Sequence, residues 1–398
     1  MFVILFTIFY IAINIYIAWE IYSWLKTLGK PLKSKAVKIA FATIYSAFAL
    51  LMFVSFFTPA SDTKKVIAKI SNYHQGFLIN LFIVLIAAHI IGPITRLFKI
   101  TKKGFFKEEK HKRICGLICA AIVVLFSAYG FINANHIQIT NYDVTVDKHG
   151  EDIKIVLISD LHLGYNIGAD NMNDMAEKIN KLNPDLVCIA GDIYDNDFDS
   201  IDDTDGVKNA LASINSKYGT YACWGNHDIS DKLFGGFTVN SDEGKKMRDD
   251  RMGKLLSDAG IKLLQDETAV INDKFTIIGR LDYHKPGTSD STRKAISDFE
   301  FDKSKLAICL DHEPKELQET ADAGIDIDLN GHTHNGQIFP GTLLIKLFWE
   351  NAAGYITKTG VDGNTMHNIV TEGVGVFGPF MRTCCKSEIV EINIHFTN

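Results

Sequence analysis

Residues 331 to 337 read GHTHNGQ, which sets His332 and His334 one residue apart after a run, Ile325 to Asn330, that alternates apolar and polar residues. In extended geometry residues i and i+2 share a face, so a strand over that run would bring both imidazoles to one side at its carboxyl end. Two imidazoles on one face are a possible metal site, although Gly331, Thr333, Asn335 and Gly336 also suit a plain surface turn. Other apolar runs with the same kind of ending weigh against the turn. KIVLISDLH ends in Asp160 and His162, DLVCIAGD in Asp192, YACWGNHD in Asn226, His227 and Asp228, and KLAICLDH in Asp311 and His312. A polar residue must stop every strand, but five endings rich in Asp, Asn and His in one region exceed chance. In parallel α/β sheets ligands bind at the carboxyl ends of the strands, so these endings should converge.

D-x-H, GD, GNHD, a lone His and then GHTH, in that order over roughly residues 150 to 395, resemble the calcineurin-like metallophosphoesterase family. The resemblance implies one metal held by Asp160, His162, Asp192 and His334. A second would be held by Asp192, Asn226, His312 and His332, with Asp192 bridging. It also implies a catalytic role for His227, as general acid or transition-state donor, with Asp228 orienting its ring. Asp195 and Asp311 have two readings each: a partner that fixes a ligand imidazole, or a solvated loop carboxylate. Near the C-terminus, Gly373, Gly375, Pro379, Arg382, Glu388 and Ile389 resemble the closing loop and strand of membrane-associated members. An extra residue precedes Arg382 and Ser387 stands where proline is usual; a substrate phosphate contact at Arg382 is the expectation drawn from that alignment.

The donor types fit this chemistry. Two divalent cations lower the pKa of bound water enough to supply hydroxide at neutral pH, and they neutralise charge as a phosphoryl group is transferred. Imidazole and carboxylate without thiolate suit Mn, Fe or Zn. A non-catalytic sensor module is the rival reading, but such a module would be expected to have lost ligands, and all seven are present. Some members that the chain resembles cleave the pyrophosphate of UDP-diacylglucosamine. The apolar run IFPGTLLIKLFWENAAGYI, directly after the two histidines, reads either as buried core or as an apolar lip able to take acyl chains or meet a membrane surface. A lipid-linked phosphodiester, pyrophosphate or phosphomonoester is therefore the expected substrate class.

Helical patterns at Asp170 to Leu182, Asp205 to Ser216, Gly244 to Ala259 and Pro314 to Ala323 follow apolar strands, as βα units require. The resemblance implies that residues 151–398 form an α/β/β/α sandwich, with residues 136–150 as linker and first strand. Residues 1–135 are of another kind. Apolar stretches at about 2–25, 39–57, 76–95 and 114–135 each approach the length of a bilayer-spanning helix, and Glu20 is their one acidic or basic residue. The first lacks the basic start and small-residue cleavage site of a leader peptide. Glu20 is expected to reach the membrane interface and His89 to bond a neighbouring helix.

The charge distribution separates the two parts. The first 135 residues hold 16 basic and 4 acidic residues, and the remainder 25 and 43. An acidic catalytic domain is a poor nucleic-acid binder, so membrane lipids are the expected partners. Five lysines lie between the first and second stretches (Lys26, Lys30, Lys33, Lys35, Lys38), and three (Lys64, Lys65, Lys69) between the second and third. The next gap is densely basic, from Arg96 through Lys99, Lys102, Lys103 and Lys107 to Arg113. Basic loops stay in the cytoplasm, which predicts a multi-pass protein of the cell membrane with its catalytic domain outside the cytoplasm. The 7 cysteines suggest no disulfide framework.

Overall fold

The computed structural model describes residues 2–97, 109–231, 233–234, 237–238, 248–287 and 292–397. They divide into two compact units: Met1–Ile132 with the short segments Leu233–Val239 and Gly378–Met381, and the remainder of the chain. Lys99, Lys102, Lys103 and Lys107, and the first residues of the helix expected from Gly244, lie outside the described residues.

The first unit is helical: α1 Phe2–Leu25, α2 Lys35–Ala49, α3 Leu51–Phe57, α4 Asp62–Leu97 and α5 Glu109–Ala134. Three of these, α1, α4 and α5, are long and apolar enough to cross a membrane. The stretch expected at 39–57 is not one straight helix, because α2 and α3 meet at a bend of 43°. Ile4, Ile8, Phe9, Leu125 and Ile132 are exposed, an arrangement that costs free energy in water and none in hydrocarbon. Together with these helices, that exposure associates the chain with a membrane. Inside the unit Tyr10, Ile17, Met52, Leu78 and Phe234 pack together. Glu20 is buried, contrary to expectation, because His89 on α4 places Nε2 3.3 Å from its carboxylate. The same ring meets the Tyr16 hydroxyl at 3.2 Å, so His89 does bond its neighbour helix α1.

The second unit opens with β1 Ile137–Val146 and β2 Ile153–Ile158, so most of residues 136–150 is strand rather than linker. There follow α6 Ala169–Leu182, β3 Leu186–Ala190, α7 Thr204–Ala212 and β4 Thr220–Cys223. A short hairpin, β5 Leu233–Phe234 and β6 Phe237–Thr238, belongs to the helical unit. The chain continues with α8 Asp250–Asp258, β7 Lys262–Leu263, β8 Glu267–Ile271, β9 Phe275–Gly279, β10 Leu306–Leu310, α9 Leu317–Asp322, β11 Ile327–Asn330, α10 Gly341–Leu344, β12 Gly354–Thr359, β13 Thr365–Val370 and β14 Ser387–Phe396.

These strands form two six-stranded sheets, ordered β1-β14-β2-β3-β4-β7 and β12-β13-β11-β10-β9-β8. The inner strands LVCIA, FTIIG and LAICL are buried at every residue, which is why they read as continuous apolar runs rather than as alternation. Their inward side chains interdigitate: Ile155, Leu157, Leu186 and Cys188 of one sheet share a core with Ile277, Ile308, Leu310 and Leu329 of the other. On α6 the buried positions Met172, Met175, Ala176 and Ile179 form one stripe at helical spacing, and Asn183 ends the helix in left-handed geometry. Two sheets, each with helices outside, make the expected α/β/β/α sandwich. β2, β3 and β4 are parallel neighbours in one sheet, as are β10 and β11 in the other, so each set of carboxyl ends lies together.

Candidate metal centre

Each donor-bearing strand stops just before its donors: β2 at Ile158, β3 at Ala190, β11 at Asn330. The next residues turn through left-handed backbone, with φ of 54° at Asp160, 47° at His162, 50° at Asp192, 73° at His332 and 48° at His334. Non-glycine residues rarely adopt this region, and strain of this kind gathers at functional sites. His332 and His334 therefore do not share a strand face; the turn sends them to different groups of donors. The glycines beside the donors allow close approach. A Cβ on Gly331 would stand 1.8 Å from Ser159 Oγ, and one on Gly225 would stand 2.2 Å from Asp192 Oδ1.

Asp160, His162 and His334 bring donor atoms within 4.8 Å of one another, as do Asp192, His312 and His332. In the first group His162 Nε2 and His334 Nε2 are 3.0 Å apart, His334 Nε2 is 3.3 Å from Asp160 Oδ1, and His162 Nε2 is 3.8 Å from Asp192 Oδ2. In the second, His312 Nε2 lies 3.1 Å from Asn226 Oδ1, 3.1 Å from His332 Nδ1 and 3.1 Å from Asp192 Oδ2. The His332 Nδ1 to Asn226 Oδ1 distance is 2.8 Å. Donors about 2.1 Å from one ion lie about 3.0 to 3.4 Å from each other, so both groups have the spacing of a coordination shell. All seven sequence-predicted ligands are thus brought together, with Asp192 between the groups. The His312 Nδ1–H donates to the Ala190 carbonyl at 2.8 Å, which directs the Nε2 lone pair into the second group.

The electrostatics agree with cation binding. Burial opposes ionisation of Asp192, but His312 and His227 outweigh it and hold the carboxyl well below the usual range. Asp160 is lowered in the same way, against its burial, by His334. Burial, with His312 close by, brings His332 down to about 4, and burial also lowers His334. Burial works against protonation of His162 and His312 too, yet adjacent carboxylates raise both. A bound cation would displace those protons.

The remaining predicted residues divide. His227 stands by the first group, its ring 5.2 Å from that of His162 and 4.5 Å from that of Phe377. Its partner is Asn196 and not Asp228: the Nδ1–H donates to Asn196 Oδ1, and Asn196 Nδ2 donates to the Ile229 carbonyl at 3.2 Å. Asp228 is buried and occupied elsewhere, accepting from the Tyr194 and Gly225 amides at 2.8 and 2.7 Å, so it shapes the loop rather than orienting the ring. Burial raises Asp228 to about 7 and lowers His227 to about 4. Asp195 lies 3.6 Å from His162 Nδ1, longer than a hydrogen bond but near enough to act on the imidazole's charge. Asp311 fits neither of its readings. It is buried, with Arg280 and Arg293 at 3.2 and 2.8 Å.

Arg382 is also corrected. Its guanidinium is fully buried and donates to the carbonyls of Gly373, Gly375 and Lys386, with Nη2 3.1 Å from His334 Nδ1, so it holds the closing loop beside His334 and has no reach to solvent. Asn196 and Phe377 were missed by sequence reasoning; Asn196 follows GDIYD, whose acidic neighbours gave it no distinguishing signal. After His334 the apolar run folds as α10 and a short turn of helix, leaving Leu343, Leu344, Leu347 and Phe348 exposed. It is not core. Trp349 at its end packs 5.0 Å from the His332 ring.

Comparison with known proteins points the same way. A family model described as calcineurin-like phosphoesterase matches residues 153–336. An uncharacterized metallophosphoesterase of Campylobacter jejuni is 29% identical, over 69% of this chain and 68% of its own. A transmembrane protein with metallophosphoesterase domain from Danio rerio is 27% identical, over 78% of this chain and 70% of its own. Among solved structures, a dimetal phosphatase from Danio rerio aligns at 13% identity and a TM-score of 0.30, covering 56% of this chain and 87% of that one. That likeness is too distant to carry an argument.

Proposed function

We propose that the chain, which carries a calcineurin-like metallophosphoesterase domain and is a hydrolase acting on phosphoester bonds, cleaves a lipid-linked phosphodiester, pyrophosphate or phosphomonoester at a pair of divalent cations. Asp160, His162, Asp192 and His334 would hold one ion, and Asp192, Asn226, His312 and His332 the other. The observation that carries the ligand set is the mutual spacing of the donors, with His162 Nε2 facing His334 Nε2 at 3.0 Å and His312 Nε2 facing His332 Nδ1 at 3.1 Å. Each pair could be bridged by a proton in the ion-free protein, and a cation binding there would displace it. Bound there, Mn, Fe or Zn would supply an acidified water and neutralise phosphoryl charge. His227 is the chain's own catalytic group: held through Nδ1 by Asn196, it presents Nε2 to the reacting phosphoryl oxygens.

The lipid linkage is supported by two features. Leu343, Leu344, Leu347 and Phe348 are exposed on a segment that ends at Trp349, against His332. Apolar helices in the same chain tether the domain to a bilayer, which raises its effective concentration near lipid head groups and does nothing for a soluble nucleotide. The chain crosses the membrane several times, with the catalytic domain outside the cytoplasm. The test offers the purified, Mn-loaded protein a chromogenic phosphodiester, a monoester and a total membrane lipid extract. Turnover that Asp192→Asn abolishes, with head-group or phosphate release from lipid, is expected. Release from water-soluble esters alone, unchanged by Phe348→Ser with Trp349→Ser, removes the lipid reading.

A further inference from the structure

Beside His332 stands a group of side chains that neither set of donors uses. Glu313 is buried, and its Oε1 accepts the Nδ1–H of His284 at 2.6 Å. A ring protonated on Nδ1 offers Nε2 as an acceptor, and Lys315 Nζ donates to it at 3.0 Å. The same ammonium lies 3.2 Å from Glu313 Oε2. It also faces the Tyr283 ring at 4.4 Å and the Trp349 ring at 5.3 Å. Trp349 is the residue packed 5.0 Å from His332. One arrangement of protons satisfies all these contacts, so the tip of a long and normally mobile side chain is fixed in advance.

The cage is open. The Lys315 side chain is 27% exposed, His284 56% and Tyr283 42%. His284 takes up only Glu313 Oε1, and the Lys315 ammonium is the charge nearest Oε2. The lysine and the glutamate cancel in charge, so the group attracts by directed N–H contact rather than by a long-range field, which favours discrimination over capture rate. It lies one indole away from a metal-site imidazole, close enough to meet a part of a substrate beyond the reacting phosphorus.

We propose that Lys315 is a specificity-determining residue whose ammonium takes a second anionic group of the substrate, a phosphate or a carboxylate carried beyond the phosphoryl group at the metal centre. The proposal rests on the phosphoesterase reading above. It is tested with the full-length chain in detergent micelles, loaded with Mn, by calorimetric titration of inorganic phosphate, inorganic pyrophosphate and O-phosphoserine. At least one of the two doubly anionic probes binds more tightly than phosphate, and which one it is tells a second phosphate from a carboxylate. Lys315→Met weakens that probe by about tenfold and leaves phosphate unchanged, as loss of one charge-assisted contact requires; Lys315→Arg keeps most of the margin. Equal affinity for all three probes in the wild type, or a parallel loss of all three in Lys315→Met, overturns the proposal. A chain that binds the probes with this pattern yet hydrolyses no phosphoester would instead count against the phosphoesterase reading.

Discussion

Asn196 Nδ2 donates to the Ile229 carbonyl, so its Oδ1 is the atom turned to His227 and the ring must carry its proton on Nδ1. Nε2 is then the free nitrogen of a ring that burial keeps neutral at pH 7, its pKa being near 4. Such a ring accepts a proton only when an anionic phosphoryl group comes close. Replacing Asn196 by Ala frees the ring to rotate; kcat on a chromogenic diester is expected to fall by about tenfold or more with KM little changed. An unchanged kcat would mean that Asn196 does not orient the ring. At this scale the seven donors were legible because Asp, Asn and His suit such ions and recur at strand ends. The partners were not, since Asn196, Asp228 and Arg382 depend on which loop amides and carbonyls lie opposite them, and no spacing in the sequence encodes that. Arg382 looked like a phosphate contact and is buried under carbonyls.

The elements act through where they stop. The apolar runs announced β2, β3, β4, β10 and β11, but the i, i+2 rule was extended past their ends, where the backbone turns left-handed and parts His332 from His334. Gly331 makes that turn possible. A Cβ there would stand 1.8 Å from Ser159 Oγ and 2.5 Å from Asp160 Oδ2, so Gly331→Ala is expected to lower metal content and activity together while the far-ultraviolet circular dichroism stays unchanged. Retention of full metal content would show that the turn tolerates a side chain. On β11, burial, aided by Asp311, raises Asp328 to about 7. An acid whose folded pKa lies above its ordinary value of 3.8 adds stability below that value and loses it as pH rises through 7. The thermal midpoint of the metal-free protein should therefore drop between pH 5.5 and pH 8, and drop less in Asp328→Asn. Parallel curves for the two proteins would refute the assignment.

At the scale of the whole molecule, the division into a basic helical part and an acidic catalytic part was legible in composition, as were the apolar helices near 2–25 and 114–135; α4 instead begins at Asp62, well before the expected 76, and takes Lys64, Lys65 and Lys69 from the expected loop into the helix. The pairing of β1 with β14 was not, because it joins strands separated by the entire catalytic unit, and local pattern carries no register. The bend between α2 and α3 was equally hidden. Lysine asymmetry predicts that both termini lie outside the cytoplasm, so alkaline phosphatase fused after residue 398 is expected to be active, and a fusion active only as a cytoplasmic reporter would reverse the topology. The central claim is that one carboxylate, Asp192, joins two ion sites in a phosphoesterase. It is tested most directly by counting metal per chain in the purified full-length protein, by mass spectrometry of the element, alongside turnover. Two ions per wild-type chain, with both the second ion and the turnover lost in Asp192→Asn, is the predicted result; a single ion in the wild type, or turnover that survives the substitution, would contradict it.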